Sequence, residues 1–440
     1  MLKKFLKNSF ILTHRLFFLL MLMSFSSSVL AVGINAPVKV TDDFFGLHIR
    51  WGVTSTPWPT VRFKSWRVIT PETEWRGLEP QPDVWDFATL DKAVSLSEQH
   101  GVDVVLTLGQ TPSWASARPS ELTGNDPGNS AEPRNISDWD NYVRTVITRY
   151  RGRIKAYELW NEPYYSGMKG QNSMRGSFSG SAAEMVKLAQ VVRSAINELD
   201  PSALLISPSC TAADGTSGLV CTEQFLSAGG WQYIDIIGFH FYCSPEVIPR
   251  LAVKISSLMT KYNIEKLPLW NTESGYLVDG TDTATSVSKN QGDPFNFVLT
   301  QKQLPAYVLR AMVLSAVSGV SRYYHFSWDI PGMHLMWKKG TEATPASFGY
   351  AQALRWLRGS TIIGCNNTPT GLWSCELHSP SGHRGFLVWS VQGSGLAELP
   401  NDFLPIAYET LDGKFNAITS TGPITVGGSP VLFRAETPIW

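Results

Sequence analysis

The chain has 440 residues, of which 43% are hydrophobic, and its 37 basic residues balance its 37 acidic ones. This length suits a barrel domain of about 250–300 residues followed by a smaller module. Balanced charge, with no basic run beyond the N-terminus, argues against a nucleic-acid-binding protein, and we expect no nucleic acid as a partner.

The N-terminus has the pattern of a secretory signal. Basic residues up to Arg15 precede an apolar run over 16–23, and small residues follow, with Val29 and Ala31 placed for cleavage after Ala31. We therefore assign 1–31 to a signal peptide and expect a periplasmic or secreted protein. An uncleaved membrane anchor is the alternative, although the apolar run is short for a bilayer span.

From about residue 44 to 358, short β-branched runs alternate with longer helical patterns. Eight such strands separated by helices predict parallel βαβ units, and the count of eight favours closure into a (β/α)8 TIM barrel. A doubly wound open sheet is the alternative, but no Gly-rich phosphate fingerprint follows an early strand. The predicted strands are 44–49, 66–69, 102–108, 154–160, 203–207, 234–242, 267–271 and 323–328. The predicted helices are 87–100, 136–150, 182–199, 245–262, 305–318 and 347–357.

The sequence changes in texture after Gly359. Short strand-like runs alternate with Gly, Pro, Ser and Asn turns, which predicts a small all-β accessory domain, a β-sandwich, over 359–440. Residues 35–43 would add a strand to it. The predicted strands of this domain are 361–363, 373–377, 385–389, 406–410, 424–426 and 431–434.

Five cysteines follow the signal segment. In an exported protein, Cys210 with Cys221 and Cys365 with Cys375 are candidate local disulfides, although spacing alone does not show that their Cα atoms come within reach. Cys243 is left without a nearby partner in the sequence. No Cys/His cluster has zinc spacing, and we expect neither a metal nor an organic cofactor.

Two short motifs carry the chemistry. Residues 157–163 read Tyr-Glu-Leu-Trp-Asn-Glu-Pro, and residues 268–274 read Pro-Leu-Trp-Asn-Thr-Glu-Ser. Glu162 follows the fourth predicted strand and Glu273 the seventh, where the active residues of such barrels lie. Two carboxylates facing each other across a barrel mouth are what cleavage of a glycosidic bond requires. Either motif alone would be weak, since Asn and Pro commonly end strands, but the repetition makes the pair specific.

The two carboxylates need different surroundings. A general acid needs a raised pKa, which for Glu162 would come from burial and from the negative charge of Glu273. Glu273 must stay ionised as the nucleophile, so it needs donors and positive neighbours. Arg67 on the second strand and Tyr242 on the sixth are placed by topology to supply them, and His240 lies on the same side of its strand as Tyr242.

Further candidates lie at other strand ends. Asn161 would hydrogen-bond to a sugar hydroxyl, and the ring of Trp328 would form the base of the sugar-binding site. Glu158 lies four residues before Glu162, on the same side of the strand, so we expect it to point into the barrel and to have a structural role. Long loops over 111–135, 164–181 and 277–299 would wall a groove for a polymer. The remaining candidate sugar contacts, for which packing is the alternative, are His48, Trp51, Gln110 and Trp114.

Six motifs of this chain resemble clan A of the glycoside hydrolases, the retaining (β/α)8 enzymes, and family 39 in particular. They lie at 45–48, 114–119, 131–134, 157–163, 238–242 and 270–275. The resemblance implies that Glu162 is the acid/base and Glu273 the nucleophile, with a β-sandwich accessory domain after the barrel. It also implies supporting roles for Arg67, His240, Tyr242 and Trp328. Within family 39 the chain most resembles a hydrolase of biofilm exopolysaccharide.

We therefore expect an exported, retaining, endo-acting β-glycosidase of a bacterial exopolysaccharide. We expect a monomer whose partner is the polysaccharide, and leave open an association with the inner membrane or an export complex. One alternative is an exo-acting β-glycosidase, such as a β-xylosidase, or a transglycosylase. Another is a non-catalytic polysaccharide-binding component of an export complex.

Overall fold

The computed structural model describes most of the chain beyond the expected signal peptide. Both that peptide and most of the 277–299 loop lie outside the described residues. Among the residues that are described, no helix is long and apolar enough to cross a membrane. The described residues are 37–51, 53, 57–122, 126–166, 168, 177–211, 215–278, 298–330, 332–333, 335–337, 342–419 and 422–435.

A short strand, β1 (Val38–Lys39), precedes a barrel of parallel strands. The fifth strand of the barrel is split into two pieces, β6 and β7, around Pro208, which has no N–H to donate to a ladder. The barrel strands are β2 (Phe45–Leu47), β3 (Ser65–Val68), β4 (Asp103–Leu108), β5 (Ala156–Leu159), β6 (Leu204–Ile206), β7 (Cys210–Thr211), β8 (Ile237–His240), β9 (Leu269–Ser274) and β10 (Val320–His325).

The order of these strands is β6-β5-β4-β3-β2-β10-β9-β8-β7. The last strand, β10, pairs in parallel with the first, β2, and a parallel bridge between Ile206 and Ile236 joins β6 to the start of β8. The sheet therefore closes on itself. This confirms the predicted (β/α)8 barrel and rules out the open doubly wound sheet.

Helices alternate with the strands, and all six predicted helices are present. Two helices were not predicted, α1 and α5, because α1 is only one turn long and α5 follows a Gly- and Thr-rich stretch that reads as a loop. The helices are α1 (Trp75–Leu78), α2 (Ala88–His100), α3 (Ile136–Arg149), α4 (Ala182–Leu199), α5 (Ser217–Ser227), α6 (Ile248–Lys261), α7 (Leu304–Val317) and α8 (Pro345–Leu357). At α4, Ser181 and Glu184 cap each other's backbone N–H groups in a capping box.

The C-terminal region is antiparallel and all β, as predicted. One sheet has the order β1-β13-β14-β15-β20-β17-β18, so the strand before the barrel joins it, and β16 pairs with β19 separately. Two short strands, β11 (Met336–Trp337) and β12 (Glu342–Ala343), form a hairpin before α8. The strands of the C-terminal region are β13 (Thr361–Asn367), β14 (Leu372–His378), β15 (Arg384–Ser390), β16 (Gly395–Leu396), β17 (Ala407–Glu409), β18 (Phe415–Ala417), β19 (Thr425–Val426) and β20 (Val431–Arg434).

The large C-terminal sheet buries both of its faces because its side chains alternate. Leu377 and Leu387 belong to the same hydrophobic core as the barrel, whereas Phe386 and Val388 form a separate cluster with Val426 of the small sheet. The barrel and the β region thus share one core. We therefore expect the two parts to move together.

Both candidate disulfides are formed. Cys365 and Cys375 are opposite each other on β13 and β14, with Cα atoms 4.0 Å apart. Cys210 and Cys221, with Cα atoms 6.0 Å apart, join β7 to α5. Cys243 is a buried free cysteine. The first pair braces the β region, and the second lies beside the carboxyl end of the barrel.

Candidate active site

Glu162 follows β5 on an unusual turn of the backbone. Trp160 and Glu162 both have positive φ, at +66° and +39°. This conformation is uncommon for residues with a Cβ and recurs at functional sites. The N–H of Glu162 donates to the carbonyl of Ser209 at 3.0 Å, which ties the turn to the split fifth strand.

Glu273 lies inside β9 and not just beyond it, because β9 extends to Ser274 and the predicted strand ended at residue 271. The register between β8 and β9 shifts by one residue between Phe239 and His240, so that His240 pairs with Glu273. Such irregularities re-aim side chains at barrel rims. Here the shift puts His240 and Glu273 side by side.

The structure brings the two predicted carboxylates together. One carboxylate oxygen of Glu162, one of Glu273 and a ring nitrogen of His240 all lie within 4.8 Å of one another. The side chain of Glu162 is 26% exposed and that of Glu273 is 11% exposed. Glu162 is therefore the more accessible of the two, and Glu273 the more enclosed.

Both oxygens of Glu273 accept hydrogen bonds. Tyr242 Oη donates to Oε1 at 2.5 Å, and Arg67 Nη1 donates to Oε2 at 2.7 Å. Burial, together with the charges of Glu273 and Glu162, raises the pKa of Tyr242 well above its usual value, so the phenol stays protonated and can donate. Although burial disfavours a charged guanidinium, the carboxylates of Glu158 and Glu273 keep the pKa of Arg67 raised. Glu273 thus has the donors that favour an ionised carboxylate.

Glu162 has a different partner. His240 Nδ1 lies 2.8 Å from Glu162 Oε1. Burial pushes the pKa of Glu162 up, but the hydrogen bond and charge of His240, the charge of Arg67 and the hydroxyl of Thr211 together hold it below its usual value. The expectation of a raised pKa was wrong in direction, because these neighbours outweigh burial.

Arg67 links Glu273 to the fourth strand. Its Nη2 donates to Asn161 Oδ1 at 2.7 Å, and its Nε donates to Glu158 Oε2 at 2.6 Å. Asn161 is partly exposed, and its amide nitrogen makes no hydrogen bond to any described residue, which leaves it as a donor to a sugar hydroxyl. Glu158 is fully buried inside the barrel, as the sequence predicts.

His48 is committed to the protein. Its Nε2 lies 3.0 Å from the carbonyl of Thr272, and because a carbonyl only accepts, this nitrogen must carry the hydrogen. Burial and the nearby charge of Arg67 lower the pKa of His48 well below its usual value, so the ring is neutral. His48 therefore joins β2 to β9 beside the site.

The predicted aromatic contacts are largely packed. Trp328 is fully buried, so it offers no exposed face to a sugar in this structure. Trp114 is partly buried, donates from its indole nitrogen to the carbonyl of Glu79 at 3.0 Å, and packs edge-on against Trp75. Trp51 is partly exposed under the guanidinium of Arg50.

Gln110 is buried and has a positive φ of +63° at the end of the third strand. Its side-chain oxygen finds no partner among the described residues. A buried acceptor without a donor is costly, so Gln110 is the predicted sugar contact that most needs a partner.

Arg118 ties together two of the long loops that follow barrel strands. Its guanidinium donates to Glu121 at 2.5 Å, to Glu132 at 2.6 Å and to Ser179 at 2.9 Å. Glu121 and Glu132 belong to the 111–135 loop, and Ser179 to the 164–181 loop. Sequence reasoning did not identify Arg118, Ser209 or Thr211 individually, although the last two lie at a barrel strand end, the position that marks active residues.

Glu162, His240 and Glu273 are also close enough together to hold a metal ion. However, Glu273 already has a guanidinium on one oxygen and a phenol on the other, and Glu162 is paired with His240. The positive charge of Arg67 disfavours a second cation on the same carboxylate. The arrangement fits proton transfer and nucleophilic attack better than metal binding.

The N-terminal part of the barrel matches a known family. The model for glycosyl hydrolase family 10 matches residues 43–205, a segment with Arg67 and Glu162 but without Glu273. The match covers less than half of the chain, so it shows similarity to that family and not membership.

Two curated relatives are similar over shorter segments. Endo-1,4-beta-xylanase B of Thermotoga neapolitana is 23% identical over 138 residues, 29% of this chain and 38% of the relative. Endo-1,4-beta-xylanase C of Phanerodontia chrysosporium is 29% identical over 98 residues, 22% of this chain and 23% of the relative. The chain thus spans well under half the length of the curated relatives it matches.

Solved structures share the whole architecture at low identity. A conserved exported protein from Bacteroides fragilis has a TM-score of 0.62 at 12% identity, covering 90% of this chain and 98% of that chain. The catalytic domain of the GH30 xylanase C from Talaromyces cellulolyticus has a TM-score of 0.58 at 15% identity, covering 92% and 99%. Fold and family match together support clan A of the glycoside hydrolases as the class. They do not support the narrower resemblance to family 39, which stays a prediction.

Proposed function

We propose that this protein is a retaining glycoside hydrolase that cleaves β-glycosidic bonds within a polysaccharide. The observation that carries the proposal is the pair of carboxylates, with oxygens of Glu162 and Glu273 within 4.8 Å. Retaining enzymes place their two carboxyl groups about 5–5.5 Å apart, whereas inverting enzymes need about 6.5–9.5 Å to admit a water molecule. The short separation favours the retaining mechanism.

The first step forms a glycosyl-enzyme. The carboxylate of Glu273 attacks the anomeric carbon, and the bond between that carbon and the glycosidic oxygen breaks. Glu162 acts in its protonated form, which its lowered pKa restricts to the acidic side of the pH profile, and gives its proton to the departing oxygen, so the leaving chain is released as an alcohol. Glu273 suits the attacking role because Arg67 and Tyr242 orient it, and Asn161 would donate to a sugar hydroxyl.

The second step releases the sugar. Glu162, now ionised, takes a proton from water as the water oxygen bonds to the anomeric carbon. The ester bond to Glu273 breaks and its carboxylate is restored, while Glu162 is protonated again. The exposed side of Glu162 is where a leaving group and then water would approach.

For the substrate, we propose a bacterial exopolysaccharide cut at internal bonds. The family 39 resemblance motivates the exopolysaccharide, and the two long loops that Arg118 ties together motivate a groove for a chain. A β-1,4-xylan is the second candidate, because the curated relatives are named endo-1,4-beta-xylanases. An exo-acting enzyme or transglycosylase would use the same two carboxylates.

We also propose that the protein is exported and acts as a monomer. The N-terminal signal pattern supports export, and one protein of similar fold is itself described as exported. Association with an inner-membrane export complex remains part of this proposal.

The test is a panel of β-linked polysaccharides that includes xylan and mannose- and glucose-containing exopolysaccharides. Products are identified by mass spectrometry and new reducing ends are counted. We expect oligosaccharides from the wild type, none from Glu273→Gln, and wild-type products from Glu409→Gln, a buried glutamate of the β region. Monomers alone would show exo action. Binding without any new reducing ends, unaffected by Glu162→Gln, would indicate a non-catalytic binding protein and overturn the proposal.

A further inference from the structure

Glu158 is a fully buried carboxylate that the proposed chemistry does not use. Its Oε2 accepts from Arg67 Nε at 2.6 Å and from Thr107 Oγ1 at 2.7 Å, and its Oε1 accepts from Ser209 Oγ at 2.5 Å. Burying a charge costs several kcal/mol unless it is paired and hydrogen-bonded. Two of these hydrogen-bond partners of Glu158, Arg67 and Ser209, also contact the candidate catalytic residues.

The first connection runs through Arg67 to the nucleophile. With Nε on Glu158, the guanidinium plane is fixed, and its Nη1 reaches Glu273 at 2.7 Å while its Nη2 reaches Asn161 at 2.7 Å. Arg67 is fully buried, so few other positions are open to it. The place of Glu273 therefore depends on where Glu158 holds Arg67.

The second connection runs through Ser209 to both catalytic residues. Its hydroxyl donates to Glu158 and accepts from Thr272 Oγ1 at 2.7 Å, next to Glu273 in β9. Its carbonyl accepts the backbone N–H of Glu162 at 3.0 Å. Gly238 leaves room for this hydroxyl, since a Cβ at that position would come 2.2 Å from Ser209 Oγ.

We propose that Glu158 is a positioning residue that fixes the separation of Glu162 and Glu273, through Arg67 on one side and Ser209 on the other. This rests on the proposed function, because only there does the separation of the two carboxylates matter. Misplacement of reacting groups by about 1 Å can cost about 100-fold in rate. The three buried donors to the Glu158 carboxylate limit such movement.

A matched pair of variants separates positioning from plain stabilisation. Ser209→Ala and Thr107→Val each remove one hydroxyl donor from Glu158, but only Ser209 also contacts Thr272. We expect Ser209→Ala to lower kcat about 10- to 100-fold with KM nearly unchanged, and Thr107→Val to lower kcat less than about 3-fold. Equal losses in the two variants would overturn the proposal.

An isosteric change of charge gives an independent readout. In Glu158→Gln, Arg67 loses the negative charge that partly neutralises its own positive charge. The pKa of Glu162 should therefore fall by about half a unit or more, because its other neighbours, His240, Thr211 and Glu273, are unchanged. The basic limb of the kcat/KM profile should move to lower pH by the same amount. Glu409→Gln is the control, because it removes a buried carboxylate that pairs with Arg434 in the β region.

The same shift can be followed without turnover, by carbon-13 NMR titration of labelled glutamate carboxyl groups. If the wild type cleaves no glycoside, the proposed function fails, while the titration still tests the effect of Glu158. An unchanged Glu162 titration and pH profile in Glu158→Gln would overturn the positioning role. If Glu158→Gln does not fold, the comparison of Ser209→Ala with Thr107→Val decides.

Discussion

Tyr242 Oη and Glu273 Oε1 are 2.5 Å apart, and the phenol is the donor. Tyr242 lies two residues beyond β8, which pairs with β9, the strand that carries Glu273, and Arg67 on β3 reaches the other oxygen of the same carboxylate. The nucleophile is thus held from two directions. Each of the two donors favours the ionised form that attack requires.

Removing the hydroxyl group of Tyr242 should slow the reaction without unfolding the protein. For Tyr242→Phe we expect kcat/KM to fall about 10- to 100-fold, because a hydrogen bond to a charged group contributes about 1.5–3 kcal/mol. Tyr157→Phe is the control, since Tyr157 is fully buried in the barrel core and its hydroxyl has no partner within the described residues. Steady-state kinetics on the same substrate measure both. Equal effects would show that the Tyr242 hydrogen bond has no special role.

His240 should set the basic limb of the pH profile. Its hydrogen bond and charge lower the pKa of Glu162, so His240→Ala should raise that pKa and keep the acid protonated to higher pH. The basic limb of kcat/KM should therefore move to higher pH, while the maximal rate falls. His325→Asn is the control, because burial lowers the pKa of His325 to about 3 and leaves it neutral over the working range. A limb that stays in place in His240→Ala would contradict the pairing with Glu162.

The two disulfides should differ in their effect on activity. They enclose similar stretches, with sequence separations of 11 and 10, so removing either should cost a similar amount of stability, about 3 kcal/mol. Cys210 lies between Ser209 and Thr211, and each of these two neighbours interacts with Glu162. The double variant Cys210→Ser with Cys221→Ser should therefore also lower kcat. Cys365→Ser with Cys375→Ser should leave kcat unchanged below its melting temperature. Thermal denaturation and kinetics on both double variants provide the comparison.

Buried neutral histidine should make the fold acid-sensitive. Burial lowers the pKa of His325 to about 3, whereas its unfolded-state value is about 6.5. The stabilisation is present above about pH 6.5 and is lost as the pH falls towards 3, because only the unfolded chain binds the proton there. The free energy of unfolding should fall by up to about 1.4 kcal/mol per pH unit from this group.

Denaturant unfolding at several pH values tests whether the free energy of unfolding falls as the pH is lowered. His325→Asn should flatten the slope of the free energy of unfolding against pH between about pH 6 and 4, relative to the wild type. A steeper slope in His325→Asn would contradict the assignment.

The barrel was predictable because its signals are local and repeated. Each strand is a short apolar run, and the two Trp-Asn-(Thr)-Glu motifs mark strand ends, so Glu162 and Glu273 could be placed at one mouth without coordinates. The helix at 217–227 was missed because its Gly and Thr content and its cysteine resemble a loop closed by a disulfide.

The surroundings of the two carboxylates were less predictable. The pKa of Glu162 is lowered because His240 hydrogen-bonds to it. The position of His240 depends in turn on the register shift between β8 and β9, which no sequence pattern reveals. The hydrogen bonds of Glu158 to Thr107 and Ser209 join residues 51 positions away on either side. The burial of Trp328 likewise follows from the packing around the end of β10 and not from its place in the sequence.

The central claim is that Glu273 is the nucleophile of a retaining pair. The most direct measurement is mass spectrometry of peptides after reaction with a 2-deoxy-2-fluoro β-glycoside of the sugar that the polysaccharide panel identifies, carrying a good leaving group. The account predicts one glycosyl unit attached to the peptide that contains Glu273, and no label in Glu273→Gln. A label on any other residue, or hydrolysis of the probe to the α-anomer without a label, would contradict it.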